Sequence, residues 1–134
     1  MPVVWNVSHS TREVVISVTG AVLLKEMKEC ADNIMIPATR SYRKLVDLVE
    51  GRLALSREDI AALAEYVRER SQSGQMGAVA IAVGSDESEQ QMRLFDSLSV
   101  AERPLEIFRE MKAARAWLSS QPPPQLPPWL EEAR

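Results

Sequence analysis

The segment at residues 77–84 constrains the fold of this chain most strongly, because it contains no polar side chain. It reads Gly-Ala-Val-Ala-Ile-Ala-Val-Gly, so glycine bounds a nonpolar run on both sides. A strand of this composition is expected to be buried on both faces, as the interior strands of parallel sheets are. The segment therefore predicts an interior strand of an α/β sheet covered by helices.

Four further segments have the composition of strands. Residues 3–7 and 14–18 are rich in β-branched residues and are separated by a polar connection, which predicts an antiparallel hairpin. Residues 42–49 alternate at first and then become apolar, and residues 105–108 lead directly into an amphipathic helix. Because helices separate the last three strands, we expect these strands to run parallel, with 77–84 beside 42–49.

Four helices are predicted between and after these strands. The first must end before Pro37, the second begins at Ser56, the third begins in the acidic segment 86–89, and the fourth carries Trp117 on its apolar face. The apolar face of the first helix is expected to consist of Leu23, Met27, Cys30 and Ile34. Together the elements predict an α/β domain over residues 1–120, with a five-stranded mixed sheet and four helices.

A tail follows this single domain. The chain has 134 residues and 46% hydrophobic residues, enough for one core. Residues 121–134 hold five of the eight prolines, which favours an extended conformation. We expect Trp129 and Leu130 to pack against the domain or against a second copy, and a homodimer is one of these alternatives. A proline-rich ligand for an aromatic-lined groove is another.

Charge and hydropathy exclude several classes of protein. A formal net charge of −3 does not suit phosphate-backbone binding, so no nucleic acid partner is predicted. No apolar run approaches the roughly 20 residues that a membrane-spanning helix needs. Residues 1–10 have no basic start followed by an apolar stretch, so a cytoplasmic protein is expected. A lone cysteine provides neither a disulfide nor a thiolate metal site.

No group of residues forms a recognisable catalytic set. The single histidine, His9, lies in the hairpin connection, and Cys30 falls on an apolar helix face. Neither a G-x-S-x-G elbow nor a glycine-rich nucleotide loop occurs. The acidic residues Asp86, Glu87 and Glu89 suit a helix start better than a cation site. We predict no catalytic residue, no metal and no cofactor, and an enzyme with a dispersed active site is left as an alternative.

Ser56 has two interpretations. Its hydroxyl and the carboxylate of Asp59 have the spacing of a capping box, which explains both residues structurally. The same position, at a helix start, would also favour an added phosphate, because free N–H groups and the helix dipole attract negative charge. Capping alone is the favoured interpretation.

Several motifs occur together in this order of elements. They are Leu45-Val46-Asp47-Leu48, the helix start at Ser56, Val79-Ala80-Ile81-Ala82-Val83, Phe108, and Ala114-Arg115-Ala116-Trp117-Leu118. Over about residues 3–120 the chain resembles the SpoIIAA-like branch of the STAS superfamily. The resemblance implies a non-enzymatic regulatory module that binds a protein partner, as anti-sigma-factor antagonists do.

The resemblance also implies a regulatory residue. In the antagonists a serine at the start of the helix after the central strand is the phosphorylated switch, and Ser56 is the matching residue. The neighbouring Arg57 and Glu58 are then candidate partner contacts around the exit of the third strand. The Asp-Ser-Ser-Gly signature of the antagonists is replaced here by Leu55-Ser56-Arg57-Glu58.

A second function follows from a related likeness. The same fold resembles lipid-carrying domains of the SEC14 type, which implies a carrier or sensor of a small apolar ligand. We expect such a ligand in the crevice where strand ends meet helix starts. Four methionines are candidates to line it, although filling irregular gaps in the core is their favoured role: Met27, Met35, Met92 and Met111.

Overall fold

The computed structural model describes residues 2–72, 76–99 and 103–122. Its strands are β1 (Val3–Ser8), β2 (Glu13–Val18), β3 (Gly20–Val22), β4 (Arg43–Leu48), β5 (Gly51–Leu53), β6 (Val79–Val83) and β7 (Leu105–Phe108). Its helices are α1 (Leu24–Ile34), α2 (Arg57–Ser71), α3 (Asp86–Ser99) and α4 (Met111–Ser119). The predicted α/β fold, with a five-stranded mixed sheet and four helices, is confirmed.

The main sheet has the strand order β1-β2-β4-β6-β7. Strand β1 pairs antiparallel with β2, and every other neighbouring pair is parallel. The predicted hairpin at one edge is therefore present, and β6 lies beside β4 as expected. In the register of the parallel pairs, Ala80 of β6 lies between Leu45 of β4 and Glu106 of β7.

The strand order explains where the helices lie. Each crossover moves to the next strand in the same direction, so crossovers of one hand place their connecting helices on the same face. Helices α1, α2 and α3 accordingly contribute to one hydrophobic core, while α4 contributes Ala114 and Leu118 to a second core on the opposite face. The sheet is the middle layer of three.

Strand β6 shows why the nonpolar segment is required. All five of its residues are buried. Its valine and isoleucine side chains belong to the core beneath α1, α2 and α3, and its alanines belong to the core beneath α4. The small alanine side chains leave room for α4, whose Ala114 is fully buried against them. A polar side chain in β6 would lose its hydration, because neither face of the strand is exposed to solvent.

A second sheet of two short strands was not predicted. Strand β3 pairs parallel with β5, three residues in each strand. Gly20, the first residue of β3, adopts φ +68, which redirects the chain from β2 into β3. Strands of three residues are too short to show a two-residue hydrophobic period in the sequence. Strands β3 and β5 follow β2 and β4, and the pairing of β2 with β4 brings them together.

The start of helix α1 also differs from the prediction. Leu23 was expected on the buried face, but its side chain is 56% exposed and the residue precedes the first helical turn. Its backbone N–H donates to Glu26 Oε1 at 2.9 Å, which satisfies one of the free donors at the helix start. The prediction for Leu23 is therefore wrong, whereas Cys30 and Ile34 are buried as expected.

Candidate functional site

An apolar cavity of about 110 Å³ lies between the main sheet and helices α1, α2 and α3. Its floor is formed by Ile16, Val46, Val79 and Ile81, and its helical walls by Met27, Cys30, Ala31, Ile34, Leu63, Val67, Met92 and Phe95. Met35, Met76, Lys44 and Arg103 complete the lining. Close-packed interiors contain few voids larger than a water molecule, so a cavity of this size marks a candidate binding site.

Three of the four candidate methionines lie at this cavity. Met27, Met35 and Met92 line the cavity, whereas Met111 packs on the opposite face of the sheet with the α4 core. Met76 lines the cavity and was not predicted. Flexible thioether side chains on several walls allow a cavity to adapt its shape to different apolar occupants.

The cavity does not lie where a ligand was expected from the sequence. A ligand was expected at the carboxyl ends of the parallel strands, but the cavity lies beneath the helices, toward the strand starts. Val79 is the first residue of β6, Lys44 is the second of β4, and Arg103 precedes β7. Because all three connecting helices cover the same face, an imperfectly filled space forms between the layers.

Cys30 forms part of the α1 wall. It is buried, and burial raises the pKa of its thiol to about 12, because a thiolate would lose its hydration there. The prediction that Cys30 is an unreactive core residue is consistent with this environment. In the cavity it contributes a polarisable, uncharged surface.

Lys44 is a buried cation beside an otherwise apolar space. It is 4% exposed, and its Nζ donates to the carbonyl oxygens of Arg40 at 2.8 Å and Tyr42 at 2.9 Å. Burial, followed by repulsion from Arg103 and Arg40, lowers the pKa of Lys44 to about 7. Lys44 was missed in the sequence, although the two-residue period of β4 places it on the same face as Val46 and Leu48.

Arg103 is the second buried cation at the cavity. Its side chain is 2% exposed, and its Nη1 lies 3.5 Å from Asp96 Oδ1 without hydrogen-bond geometry. Its Nη2 makes a long contact of 3.4 Å with Ser99 Oγ. Burial lowers the pKa of Arg103, and Asp96 opposes that shift. Nothing in the sequence around Arg103 indicated a buried position.

The Ser56 region lies away from the cavity. Ser56 Oγ accepts from the N–H of Asp59 at 3.1 Å, and the N–H of Ser56 donates to Asp59 Oδ2 at 3.1 Å, so the predicted capping box is present. Ser56, Arg57 and Glu58 are exposed. The Gln91 amide of α3 donates to the carbonyl oxygens of Leu53 at 3.0 Å and Leu55 at 3.2 Å, which holds the segment leading to this helix start.

His9 lies in the hairpin turn, as predicted, but it makes a specific contact. Its Nδ1 lies 2.8 Å from the hydroxyl of Tyr42, and the two rings meet edge to face. Tyr42 itself is buried. The pair fastens the turn to the segment before β4, and it contains no carboxylate that would orient the imidazole for catalysis.

Two of the three acidic residues at the start of α3, Asp86 and Glu89, form ion pairs with arginines. Arg109 pairs with Asp86 and, at 2.9 Å, with Glu89, and Arg93 lies 3.2 Å from Glu89. Hydrogen bonds from Arg109 and Arg93 lower the pKa of Glu89. No group of three or more histidine, cysteine or acidic residues that could hold a metal ion occurs within residues 2–72, 76–99 and 103–122.

Two predictions concern features outside this site. The tail contacts and the homodimer were predicted from Trp129 and Leu130. Both residues lie outside the described residues. In the part of the chain that the structure describes, none of the helices combines the length and the apolar character required to cross a lipid bilayer. Cytoplasmic location and self-association stay predictions.

Comparison with models of protein families, with curated proteins and with solved structures found no match. The class of this protein is therefore given by its fold and its cavity alone. It is a three-layer α/β protein with a mixed sheet and an apolar cavity that two buried cations adjoin.

Proposed function

We propose that this protein binds a small apolar ligand in the cavity beneath α1, α2 and α3, as a carrier or sensor. The single observation that supports the proposal is an apolar space of about 110 Å³ within a well-packed domain. Filling such a space with methyl groups would stabilise the fold, so leaving it open costs stability. A binding function accounts for that cost.

The size of the cavity limits the ligand. An engineered apolar cavity of roughly 150 Å³ accommodates benzene, so a space of about 110 Å³ suits a small ring or a chain of several carbon atoms. A space of this volume holds a short apolar group rather than the whole of the long acyl chain that the SEC14 likeness suggests. We therefore propose a compact apolar group as the bound moiety.

Methyl NMR tests this proposal directly. Benzene and 1-pentanol are titrated separately into the protein, and the methyl signals of Met27 and Met92 are followed, with Met111 on the opposite face as the internal reference. Saturable shifts are expected for the two cavity methionines and not for the reference. Native mass spectrometry of protein from its own host then identifies any ligand that is retained.

A cavity-filling variant provides the control. Ala31→Leu adds three carbon atoms from the α1 wall and should abolish the saturable shifts. Ala61→Leu makes the same change at an exposed position of α2 and should leave them intact. Equal binding by both variants, or no saturable binding by the wild-type protein, would contradict the proposal.

A regulatory protein interaction is the second candidate function. It is supported by the exposed Ser56 and by two exposed apolar side chains, Leu23 at 56% and Val49 at 38%. Leu23 follows β3 and Ser56 follows β5, and these strands are parallel, so both residues lie beyond the same strand ends. An exposed apolar residue beyond the same strand ends as a serine that could be modified suits a switchable contact surface.

Affinity capture with matched variants tests this second function. A partner recovered by the wild-type protein should also be recovered by Ser56→Ala and lost with Ser56→Asp or Leu23→Asp. Leu98→Asp changes an exposed leucine of α3 and serves as the control. A partner retained by Ser56→Asp and Leu23→Asp would show that this surface is not the contact.

A further inference from the structure

We infer that the cavity takes an amphipathic anion, in which a compact apolar body lies among the methionines and a carboxylate or similar head group meets Lys44 and Arg103. This inference rests on the proposed function, because it assigns a charge to the ligand of the same cavity. The negative charge of the ligand is inferred from the excess of buried positive charge at one side of the cavity.

Lys44 has no carboxylate partner among the described residues. Its ammonium group has three donors, of which two are directed at the carbonyl oxygens of Arg40 and Tyr42. The nearby guanidinium groups of Arg103 and Arg40 repel it. Buried charges in proteins are normally paired, so a buried lysine facing two arginines indicates a missing negative charge.

Arg103 is only partly neutralised. Asp96 lies 3.5 Å from its Nη1, but the carboxylate is 45% exposed and the contact lacks hydrogen-bond geometry. Among the described residues, this one carboxylate is too little negative charge to balance Lys44, Arg103 and Arg40 together. The hydrogen-bond donors of Arg40 are only partly used. Its Nη2 donates to the carbonyl oxygen of Met35 at 3.1 Å, while its Nε has no partner among the described residues.

The anion would be reached by a small movement of flexible side chains. Both Lys44 and Arg103 line the cavity, yet the surface they present there consists of carbon, and their nitrogen atoms lie behind it. Rotation of the terminal bonds of Lys44 can direct its third N–H, which neither carbonyl contact uses, at a ligand oxygen. A carboxylate accepts a stronger hydrogen bond from the ammonium than a neutral oxygen does, so a charged head group is favoured over an alcohol.

Three ligands with the same alkyl chain test the inference. Pentanoate, 1-pentanol and pentylamine differ in the charge at one end, and NMR titration of the cavity methionine signals yields a dissociation constant for each. At about pH 6, where most of the Lys44 ammonium is charged, we expect pentanoate to bind about tenfold more tightly than 1-pentanol. Pentylamine should bind most weakly.

Variants locate the effect. Lys44→Met and Arg103→Met should each reduce the preference for pentanoate by about threefold or more, whereas Lys112→Met, on the exposed side of α4, should preserve it. If Lys44→Met does not fold, Arg103→Met and the three wild-type dissociation constants still test whether the cavity prefers an anion. Equal affinity for pentanoate and 1-pentanol would overturn the anion site and leave the apolar cavity function intact. No binding of any of the three would overturn both.

Discussion

The ammonium of Lys44 donates to the carbonyl oxygen of Tyr42 at 2.9 Å from a position that is almost fully removed from solvent. Tyr42 in turn contacts His9 of the hairpin turn through its hydroxyl. One short segment before β4 thus connects the wall of the cavity with the edge of the sheet. Because this segment surrounds the buried ammonium, the protonation of Lys44 is coupled to the stability of the fold.

We predict that Lys44 makes stability depend on pH. Its folded pKa of about 7 lies below the ordinary value of 10.5, so the unfolded chain binds more protons between these values. The contribution of Lys44 to the free energy of unfolding should therefore rise as pH increases from about 7 to 10.5, by at most about 5 kcal/mol. Below about pH 7 the full destabilising effect of the buried ammonium is present.

Urea unfolding of the wild-type protein and of Lys44→Met, measured at several pH values, checks this prediction. Other titrating groups are common to both proteins, so the difference between them isolates Lys44. The stability of Lys44→Met relative to the wild type should fall steadily across this pH range. A constant difference would mean that the lysine keeps an ordinary pKa in the folded protein.

Cys30 should be inert in the folded protein. Its pKa is raised to about 12 by burial, and its sulfur lies against the cavity rather than in solvent. Labelling with an aromatic disulfide reagent at about pH 8 should be roughly a hundredfold slower in buffer than in denaturing urea. Rapid native labelling would indicate that α1 opens readily. If 1-pentanol enters the cavity, it should slow the native reaction further.

Loss of the Ser56 cap should lower stability modestly. Ser56→Ala leaves the N–H of Asp59 without its acceptor and should cost about 1 kcal/mol. Ser56→Asp retains an acceptor and should cost less. Ser119→Ala, at the exposed end of α4, is the control and should change stability by less than about 0.5 kcal/mol in urea unfolding. A neutral Ser56→Ala would show that the cap does not contribute measurably.

Two glycine substitutions should differ in cost for different reasons. In Gly77→Ala the new Cβ would overlap the backbone carbonyl oxygens of Tyr42 and Ser41, which cannot move without disturbing Lys44. In Gly20→Ala the new Cβ meets nothing, and only the left-handed backbone at φ +68 is unfavourable. We expect a loss of about 3 kcal/mol for Gly77→Ala and about 1 kcal/mol for Gly20→Ala by thermal or urea unfolding. The reverse order would contradict this interpretation.

Most of the fold could be predicted because its signals are local. The nonpolar strand β6, the valine-rich hairpin strands and the apolar face of α1 each show their structure within a few residues. The capping box of Ser56 and Asp59 is equally local, and both of its hydrogen bonds are present. The prediction for Leu23 was wrong because the helical spacing of apolar residues extends one residue before the first residue of the helix.

The candidate site was only partly predictable, since it depends on distances between elements. Three predicted methionines do line the cavity, but their sequence spacing could not tell that Met111 faces the other side of the sheet. The burial of Arg103 has no local signal, because the residue lies outside any regular element.

The sequence by itself determined the order of the elements, their type and the burial of the central strand, because hydrophobic period and chain breakers act over a few residues. Only the tertiary structure decided that three helices share one face, that a cavity is left beneath them, and that Lys44 and Arg103 meet there. Those features arise from packing between distant segments, and the energy of a buried charge depends on every group that surrounds it.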